Sequence, residues 1–365
     1  MEMHRGWYGM KNNQLFFENK KIFITGHTGF KGTWMAKLLL MMGADVYGYA
    51  LEPTDQNMFF QMTGLQNEMH HIVGDIRDLE HLNRVMQETQ PDIVIHMAAQ
   101  PIVREGYANP VYTYETNVMG TVHLLEAVRN CDSVQSVVNV TTDKVYKNIE
   151  TDVPYKEENE LMGYDPYSNS KSCSELVTYA YKKSFMKDRD IAISTCRAGN
   201  VIGGGDFASN RIIPDCVRAV NAGKPIIVRN PDSVRPYQHV LDPVCAYLLL
   251  AHKQYEEKST YEDCYNIGPL EQGNINTGKL VEMFCENWGA GATWKVKREE
   301  NAVHEAKLLY LDCNKVKEKL GWNPIWNICE SVEKTVEWYK CYTKGEDIVK
   351  CMESQINEFL RKGEV

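Results

Sequence analysis

Two short segments of the sequence carry side chains suited to proton transfer. Tyr167 and Lys171 form a Y-x-x-x-K pair, and a spacing of four places both side chains on one face of a helix. An ammonium group beside a phenol favours the phenolate, so the pair predicts a tyrosine with a lowered pKa that can act as a base near neutral pH. Thr142, Asp143 and Lys144 form the second segment, at the end of an apolar strand candidate, where open α/β sheets bind their ligands. A strand-capping Thr-Asp turn without chemical function is the alternative interpretation of this second segment.

The Y-x-x-x-K pattern occurs twice, so the spacing alone does not identify the functional pair. Tyr179 and Lys183 match it as well as Tyr167 and Lys171 do. Only Tyr167 stands at the start of its helix and follows the Thr142 strand by one loop. We therefore predict that Tyr167 and Lys171 are the reacting pair.

A glycine-rich loop precedes both segments in the chain. Residues 26–32 read GHTGFKG and lie between an apolar strand candidate and a helix-length segment. Glycines let the backbone approach a pyrophosphate, and the start of the following helix presents free N–H groups and partial positive charge. The loop therefore predicts a dinucleotide-binding site, with a structural turn as the alternative. The expected contacts are Gly26, Thr28, Gly29, Phe30, Lys31 and Gly32.

Short apolar segments alternate with helix-length segments from residue 20 onward, and this alternation predicts the fold. Several segments are apolar at every position, as expected for parallel strands buried on both faces. We predict a Rossmann-type doubly wound α/β fold with a parallel sheet, followed by a smaller α/β substrate-binding lobe. The predicted strands are 22–25, 46–50, 71–73, 93–96, 136–141 and 191–195. The predicted helices are 32–42, 79–88, 111–130, 167–186, 277–288, 314–320 and 328–343.

The organisation predicted for the chain has four parts. An N-terminal arm (1–19) precedes a cofactor-binding domain (20–197), to which a segment near 237–267 returns. A smaller substrate-binding lobe (198–345) follows where the alternation becomes irregular, and a charged, helical tail (346–365) comes last. At 365 residues the chain exceeds what one hydrophobic core usually supports, which favours two lobes.

The composition narrows the class of protein. The chain is 43% apolar and 24% charged, as in ordinary globular proteins, and its net charge of −9 argues against a nucleic-acid or membrane-surface role. No apolar stretch approaches the roughly 20 residues that span a bilayer, and we expect no secretory signal. Eleven cysteines without a C-x-x-C pair predict free thiols in a reducing cytoplasm. No Cys-His cluster has metal-ligand spacing, so we predict no metal.

The glycine spacing resembles that of the extended short-chain dehydrogenase/reductase family, and the resemblance continues along the chain. It implies NAD as the cofactor. Asp75 and Ile76, after the third strand, resemble the segment that contacts the adenine. Ala98, Ala99 and Gln100, after the fourth strand, resemble the loop on the nicotinamide side, where small residues let the cofactor lie against the sheet.

Two further positions bear on this cofactor site. Ala50 stands at the end of the second strand, where many relatives hold the adenosine ribose with an aspartate, and Glu52 is the nearest acid. No arginine replaces the missing acid in a way that signals NADP, so NAD stays the expected cofactor. Asn117 resembles a helix asparagine of the family, for which simple packing is the alternative role.

A narrower resemblance concerns the nucleotide-sugar 4,6-dehydratases. Thr142, Asp143 and Lys144 resemble the Thr-Asp-Glu signature of these enzymes, with lysine in place of glutamate, an exchange that points to the group acting on CDP-glucose. The resemblance covers residues 19–339. Gly106 stands where serine would be expected, so a contact to a sugar hydroxyl is missing there. The segments that carry the resemblance are 26–32 with Trp34, 48–51, 165–168, 197–206, 235–240 and 320–324.

The resemblance also implies a reaction. Tyr167 takes the proton of the sugar 4-hydroxyl while C4 gives a hydride to NAD, and Thr142 donates a hydrogen bond to the reacting hydroxyl. The resulting ketone acidifies the C5 proton, which Lys144 removes while Asp143 protonates the departing 6-hydroxyl. The hydride then returns to C6. The alternative is that Asp143 and Lys144 act as an ion pair, with the acid and base roles shared or reversed.

This division of labour sets conditions on the structure. Lys144 must be neutral to act as a base, and Asp143 must carry a proton to act as an acid. Adjacent residues on an ideal strand point to opposite faces, so the chain must bend at Asp143 for both to reach one sugar. The resemblance also implies three substrate-binding residues. Asn200 is expected to contact the sugar or its diphosphate, and Arg211 and Arg235 are expected to bind the diphosphate. A guanidinium group can form hydrogen bonds to two phosphate oxygens at once.

Three interpretations of the function stay open at the level of the sequence. The first is dehydration of CDP-glucose. The second is another nucleotide-sugar 4,6-dehydratase or a 4-epimerase, although an epimerase needs no acid–base pair for C5 and O6. The third is a dinucleotide-sensing regulatory protein, which would have no need of the tyrosine, lysine and threonine. The resemblance also implies a homodimer or homotetramer, paired through the helices around 111–130 and 167–186.

Overall fold

The computed structural model describes residues 15–54, 58–297 and 308–363, so most of the predicted N-terminal arm lies outside the described residues. Short strands are its framework. They are β1 (Lys21–Thr25), β2 (Asp45–Ala50), β3 (His70–Val73), β4 (Ile93–His96), β5 (Ser136–Val140), β6 (Ala192–Ala198), β7 (Asn200–Ile202), β8 (Ile226–Val228), β9 (Val234–His239), β10 (Cys264–Ile267), β11 (Asn274–Asn276) and β12 (Trp294–Val296).

Seven of these strands form one parallel sheet in the order β10-β6-β5-β4-β1-β2-β3. The chain builds outward from β1 in one direction and from β4 in the other. The crevice between the loops after β1 and β4 is therefore the topological switch point, where such sheets bind ligands. The predicted fold class and all six predicted strands are confirmed, and β10 adds a seventh strand at the edge beside β6.

Alternate residues of the central strands pack into two separate cores. Ile22 and Ile24 of β1 belong to one hydrophobic cluster, whereas Phe23 between them belongs to the other. Every residue of β4 and β5 is buried, while β3 at the sheet edge is partly exposed. The uninterrupted apolar character of the central strands follows from this cover on both faces.

Helices supply that cover, and those predicted from the sequence are present with small shifts of their ends. Segments of 3₁₀ or π geometry separate some of them, notably at Glu115–Met119 and Lys182–Met186. The α-helices are α1 (Phe30–Met41), α2 (Phe59–Thr63), α3 (Leu79–Thr89), α4 (Val103–Ala108), α5 (Pro110–Tyr114), α6 (Gly120–Arg129), α7 (Pro166–Tyr181), α8 (Ile212–Asn221), α9 (Leu241–Glu256), α10 (Lys258–Tyr261), α11 (Thr277–Trp288), α12 (Asn314–Leu320), α13 (Ile328–Thr343) and α14 (Ile348–Gly363).

The part of the chain after β6 forms a second, smaller set of strands beside the main sheet. Strands β7, β9 and β11 make a three-stranded sheet, and β8 pairs with β12. The indole of Trp34 on α1 donates a hydrogen bond to the Gly204 carbonyl at 2.8 Å, which ties the turn after β7 to the first helix of the main sheet. The division of the chain into a cofactor domain and a substrate lobe at residue 197 stays a prediction.

Cysteines, membrane-spanning helices and metal-binding clusters were considered from the composition. All eleven cysteines lie within the described residues, as free thiols. In the same part of the chain, no helix combines the length and apolar character needed to cross a bilayer, and no group of His, Cys, Asp or Glu side chains could hold a metal ion.

Candidate active site

The loop after β1 packs directly against the loop after β4. Gly26 adopts a φ of +76°, and a Cβ built there would lie 2.7 Å from the Ala98 nitrogen. Thr25 Oγ1 accepts hydrogen bonds from the N–H groups of Met97 and Ala98, both at 3.1 Å. Only glycine combines this backbone conformation with this lack of space, which explains the first glycine of the motif.

The remainder of the loop leads into the start of α1. Gly29 is the N-cap, and no side chain caps this helix, so its first N–H groups lack a side-chain acceptor. A Cβ at Gly32 would lie 2.3 Å from the Gly26 carbonyl oxygen, so the helix lies tightly on its own loop. An uncapped helix start behind a glycine turn is suited to binding a phosphate group.

The side chains of this loop point to different neighbours. The Thr28 hydroxyl donates to a carbonyl just beyond β2, and Phe30 lies against the glycine turn after β7. Lys31 lies close to the charged groups of Lys171, Arg211 and Asp143. Burial lowers the pKa of Lys31 to about 7, and the nearby charges of Lys171 and Arg211 add to the lowering.

Asp75 and Ile76 follow β3. Both carboxylate oxygens of Asp75 accept hydrogen bonds from the Arg77 guanidinium, which holds the pKa of Asp75 below its usual value. Ile76 is buried, and a Cβ at Gly120 at the start of α6 would lie 2.8 Å from its side chain. Asp75 therefore binds Arg77 in the structure, and its expected contact with an adenine stays a prediction.

Ala98, Ala99 and Gln100 form the loop after β4, and Asn117 holds this loop in place. Asn117 Oδ1 accepts from the Gln100 N–H at 2.8 Å, while its Nδ2 donates to the Gln100 carbonyl at 3.0 Å. The same Nδ2 donates to Ser170 Oγ at 2.9 Å. Asn117 thus joins the loop to α7, so the alternative role in packing is the one that its contacts support.

The end of β2 is occupied by an unexpected pair of histidines. Ala50 is buried there and Glu52 is exposed beyond it. The His27 ring fills the space above Gly48, where a Cβ would lie 2.3 Å from the ring, and its Nε2 lies 2.7 Å from His71 Nδ1. Burial lowers the pKa of His27 to about 3, so this ring is neutral. Sequence reasoning missed the pair; a glycine inside a strand was the available signal for a close approach.

Thr142, Asp143 and Lys144 lie where the chain leaves β5. The strand ends at Val140, and a 3₁₀ turn begins at Asp143 with Thr142 as its cap. The Lys144 ammonium group donates to Asp143 Oδ1 at 2.9 Å, and Thr142 Oγ1 donates to the same oxygen at 2.9 Å. The predicted bend at Asp143 is therefore present, and it brings the carboxylate and the ammonium group together.

The Asp143 carboxylate is only half satisfied. The residue is fully buried, and its Oδ2 has no hydrogen-bond partner among the described residues. Lys144 Nζ, by contrast, also donates to Asn200 Oδ1 at 3.3 Å. A buried carboxylate oxygen without a donor costs free energy, so Oδ2 marks a place where a hydroxyl group of a ligand would be stabilised.

Tyr167 is the second residue of α7 and is 8% exposed, whereas Tyr179 on the same helix is 63% exposed. A hydrogen bond joins the side chains of Tyr167 and Thr142. The Lys171 ammonium group donates to the Val140 carbonyl, the last of β5, at 3.1 Å. The structure therefore brings Tyr167 and Lys171, rather than Tyr179, to the strand end that carries Thr142.

The prediction of a lowered tyrosine pKa is wrong for this structure. Burial raises the pKa of Tyr167 to about 12, because a phenolate loses its hydration there, and the Asp143 charge adds to the rise. The Thr142 hydrogen bond and the Arg211 charge oppose the rise without reversing it. Burial also lowers the pKa of Lys171 to about 8. A lysine one turn away therefore does not by itself make a buried phenol acidic.

Asn200, Arg211 and Arg235 come from three elements outside the seven-stranded sheet. Asn200 is on β7, and Arg211 is the N-cap of α8, where it donates to Asp206 Oδ2 at 3.0 Å. Arg235 is buried on β9, two residues before Tyr237, which pairs with Asn200. Residues two apart on a strand share a face, so Arg235 lies on the same face of this sheet as Asn200.

Gly106 on α4 lies directly against the start of α7. A Cβ built at this position would lie 3.1 Å from the Tyr167 nitrogen and 3.4 Å from its Cβ. The absence of the expected serine therefore coincides with a close approach of α4 to Tyr167. Any side chain here would press on the tyrosine, so glycine permits closer packing of the two helices, and the loss of a sugar contact stays a prediction.

A buried ion pair behind the end of β5 was also missed by sequence reasoning. Arg197 on β6 donates to both carboxylate oxygens of Glu175 on α7, at 3.0 and 2.9 Å. Two signals could have indicated it: an arginine within an otherwise uncharged strand, and a glutamate one helical turn after Lys171 on the buried side of the helix.

The parallel sheet, the glycine loop and the Tyr167–Lys171 pair define the chain as an extended short-chain dehydrogenase/reductase. The family model described as GDP-mannose 4,6 dehydratase matches residues 23–335, and the chain belongs to this family.

Several known proteins resemble the chain over most of its length. It is 43% identical over 350 residues to the CDP-glucose 4,6-dehydratase of Salmonella typhimurium, which covers 94% of this chain and 97% of that protein. It is 26% identical over 345 residues to a dTDP-glucose 4,6-dehydratase of Xanthomonas campestris, covering 87% of this chain and 92% of that protein.

Solved structures show the same fold. A dTDP-glucose 4,6-dehydratase from Bacillus anthracis in complex with NAD superposes with a TM-score of 0.76 at 23% identity, covering 90% of this chain and 99% of that chain. A UDP-glucose 4-epimerase from Thermotoga maritima with UDP-glucose has the same TM-score at 22% identity, covering 88% and 99%. Since dehydratases and epimerases share the fold, these two likenesses do not distinguish the reactions.

The glycine loop yields a prediction about NAD, the cofactor expected from the sequence. Gly26→Ala should weaken NAD binding by more than about tenfold, because the new Cβ meets backbone atoms under 3 Å away in addition to straining a positive φ. Isothermal titration calorimetry of each variant with NAD measures the dissociation constant. Gly64→Ala is the matched control: its φ is +71° but nothing lies within 4 Å of the new Cβ. Equal NAD affinity of the two variants would contradict the assignment of the loop.

Proposed function

We propose that this protein is a hydro-lyase that converts CDP-glucose to CDP-4-keto-6-deoxyglucose with NAD as the cofactor. The observation that carries the proposal is the Asp143–Lys144 ion pair beside the buried Tyr167. Dehydration requires an acid and a base for C5 and O6 in addition to the group that reacts at the 4-hydroxyl. Lysine at position 144 and the 43% identity to the Salmonella enzyme support CDP-glucose as the nucleotide sugar.

The residues present fit a dinucleotide. Gly26 leaves a backbone cradle that a Cβ would fill, and α1 begins without a capping side chain. When bound, NAD accepts a hydride from the sugar and returns it later, so no net oxidant is consumed. The residues proposed to hold it are Gly26, Thr28, Gly29, Phe30, Lys31 and Gly32 at the pyrophosphate, Asp75 and Ile76 at the adenosine, and Ala98, Ala99, Gln100, Tyr167 and Lys171 at the nicotinamide.

Tyr167 acts as the base at the sugar 4-hydroxyl. Because its pKa is about 12, the phenolate needs support from its surroundings. The Arg211 charge favours the ionised form, and so does Thr142 when its single hydroxyl hydrogen turns from Asp143 to the phenolate oxygen. Lys171 adds a positive charge whenever it is protonated. Burial lowers the pKa of Lys171 to about 8, so this last contribution weakens as the pH rises above 8.

The Asp143–Lys144 pair supplies the acid and the base by one internal proton transfer. Moving a proton from Lys144 Nζ to the Asp143 carboxylate, across the 2.9 Å hydrogen bond, produces a neutral amine and a carboxylic acid together. The amine then takes the C5 proton of the 4-keto sugar, and the acid protonates the 6-hydroxyl, which leaves as water. Lys144 ends charged and Asp143 ends ionised, so the pair returns to its starting state.

The unpartnered Asp143 oxygen gives this step a direction. Oδ1 is engaged by Thr142 and Lys144, whereas the buried Oδ2 has no donor among the described residues. We assign the 6-hydroxyl to the Oδ2 side of the carboxyl group, and rotation about the Asp143 Cβ–Cγ bond carries the proton received at Oδ1 to that side. Asn200, which accepts from Lys144, then lies beside the sugar, and Arg211 and Arg235 bind the diphosphate.

A turnover assay tests the proposed function. Purified protein with NAD and CDP-glucose should form a product with the base-dependent ultraviolet absorbance of a 4-keto-6-deoxy sugar. dTDP-glucose, UDP-glucose and GDP-mannose serve as parallel substrates and should react at least about tenfold more slowly. Product from another nucleotide sugar alone would overturn the CDP-glucose assignment but not the dehydration. An epimerised sugar, or no turnover with any of the four, would overturn the dehydration itself.

Separate variants of the ion pair test its two roles. Lys144→Met and Asp143→Asn should each reduce product formation by about 10²- to 10⁴-fold, because the base or the acid is lost. Oxidation at C4 needs neither residue, so absorbance of the reduced cofactor at 340 nm should still appear on mixing with CDP-glucose. Lys147→Met is the matched control, since that lysine is half exposed and pairs with Glu160 on the surface. Unchanged product formation by Lys144→Met would refute its role as the base.

We further propose that two copies of the chain pair through α5, α7 and the segment between α5 and α6. Apolar side chains lie exposed along this face, which favours a second apolar surface as its cover. They are Val111, Tyr114, Met119, Leu176 and Tyr179.

Light scattering after size exclusion tests this pairing. Leu176→Asp should shift the mass toward that of one chain, because a buried carboxylate at an interface is costly. Ile227→Asp, which changes an exposed apolar residue on β8, is the control and should leave the mass unchanged. A single-chain mass for the unaltered protein would reject the proposal.

The remaining proposals concern context. We propose a cytoplasmic location, because a reducing compartment maintains free thiols such as the eleven present here. The product would enter deoxysugar synthesis, including that of O-antigen and other polysaccharides. Within the chain, we assign cofactor binding to 20–197 with the returning segment near 237–267, and substrate binding to 198–345.

A further inference from the structure

The segment Thr142–Lys144 is held at both of its ends by one buried ion pair. Thr141, immediately before the segment, donates its hydroxyl hydrogen to Glu175 Oε1 at 2.5 Å. Tyr146, shortly after it, accepts a hydrogen bond from Arg197 Nη1 at 2.9 Å. Glu175 and Arg197 bind each other through two hydrogen bonds, so a single rigid unit contacts both flanks of the reacting segment.

This unit is deeply buried and well satisfied. Glu175 and Arg197 are 5% and 3% exposed. Besides its bonds to Glu175 and Tyr146, Arg197 donates to the Glu157 carbonyl at 2.9 Å. Thr195, on β6, donates to Glu175 Oε2 at 2.6 Å. Taking two charges out of water is costly even with such partners, so pure stability is a weak explanation for retaining the pair here.

The same unit is attached to the helix that carries the tyrosine. Tyr167, Lys171 and Glu175 follow one another at a spacing of four on α7, which aligns them on one side of the helix. Glu175 therefore connects this row to β6 through Arg197 and to the end of β5 through Thr141. These contacts act on the distance between the row and the Asp143 turn together with the bonds from Lys171 to the Val140 carbonyl and from Ser172 to the Val145 carbonyl.

We propose that Glu175 and Arg197 are positioning residues that fix the Asp143–Lys144 pair relative to Tyr167. This role rests on the proposed function. Glu175 and Arg197 would contribute to the reaction without touching either the substrate or the cofactor. The reaction needs the 4-hydroxyl, the C5 proton and the 6-hydroxyl of one sugar to meet three side chains from two elements. A displacement of about 1 Å between those elements can lower a rate about 10²-fold, so a rigid link between them has a direct effect on turnover.

Two threonines allow a matched comparison. Thr141 and Thr195 are both buried, and each donates one hydroxyl hydrogen to a Glu175 oxygen, at 2.5 and 2.6 Å. Thr141 directly precedes the segment Thr142–Lys144, whereas Thr195 lies on the neighbouring strand β6, opposite Asn139. Thr141→Val and Thr195→Val remove the same kind of hydrogen bond with nearly the same change of shape. Tyr146→Phe removes the contact at the other flank.

The measurements are kcat and KM with CDP-glucose, NAD affinity and melting temperature. We expect Thr141→Val and Tyr146→Phe each to lower kcat about tenfold, with KM and NAD affinity within about twofold of the unaltered protein. Thr195→Val should lower the melting temperature as much as Thr141→Val does and keep kcat within about twofold. Crystal structures should show the Asp143 turn displaced in Thr141→Val and in place in Thr195→Val.

Equal kcat values for the two threonine variants, or an undisplaced Asp143 turn in Thr141→Val, would overturn the positioning role and leave a purely structural one. Failure of the proposed function looks different, because the unaltered protein would then not dehydrate CDP-glucose. In that case the crystallographic comparison still decides the positioning role, since it requires no turnover.

Discussion

The parallel direction of the seven strands is the constraint on which the rest of the structure depends. Because every strand points the same way, the loop after each one emerges at a single edge of the sheet. The glycine loop after β1, the loop after β4 and the turn after β5 meet there for that reason. Residues more than a hundred positions apart in the chain are thereby placed around one crevice. Their positions follow from the strands that precede them and do not require direct contacts between the loops.

A second consequence of this arrangement is electrostatic. The chain as a whole carries a net charge of −9, yet Lys31, Lys171 and Arg211 lie close enough together for their charges to interact. Their charges act on one another through a poorly hydrated interior, and burial lowers the pKa of both Lys31 and Lys171. A local excess of positive charge in an acidic protein suits anionic ligands such as diphosphates, and it keeps the rest of the surface repulsive toward polyanions.

Local features of the molecule could be predicted from its sequence, whereas features that depend on tertiary packing could not. Strands, helices and the glycine loop were predictable because periodicity and turn chemistry are local properties, and Tyr167 was distinguishable from Tyr179 by its place at a helix start. The pKa of Tyr167 was not, because burial depends on what packs over the phenol and spacing reveals only the lysine. The Glu175–Arg197 pair and the His27 ring above Gly48 were missed for the same reason, since each joins elements distant in sequence.

The hydrogen bond between Trp34 and Gly204 joins the first helix of the main sheet to the turn after β7. Gly204 leaves no room for a Cβ, which would lie 2.0 Å from the Trp338 ring, so its peptide is enclosed between two indoles that belong to α1 and α13. A hinge motion that separated α1 from α13 would have to break this buried hydrogen bond and move the two indole rings apart. The width of the crevice at this point is therefore set by packed, hydrogen-bonded side chains rather than by a hinge.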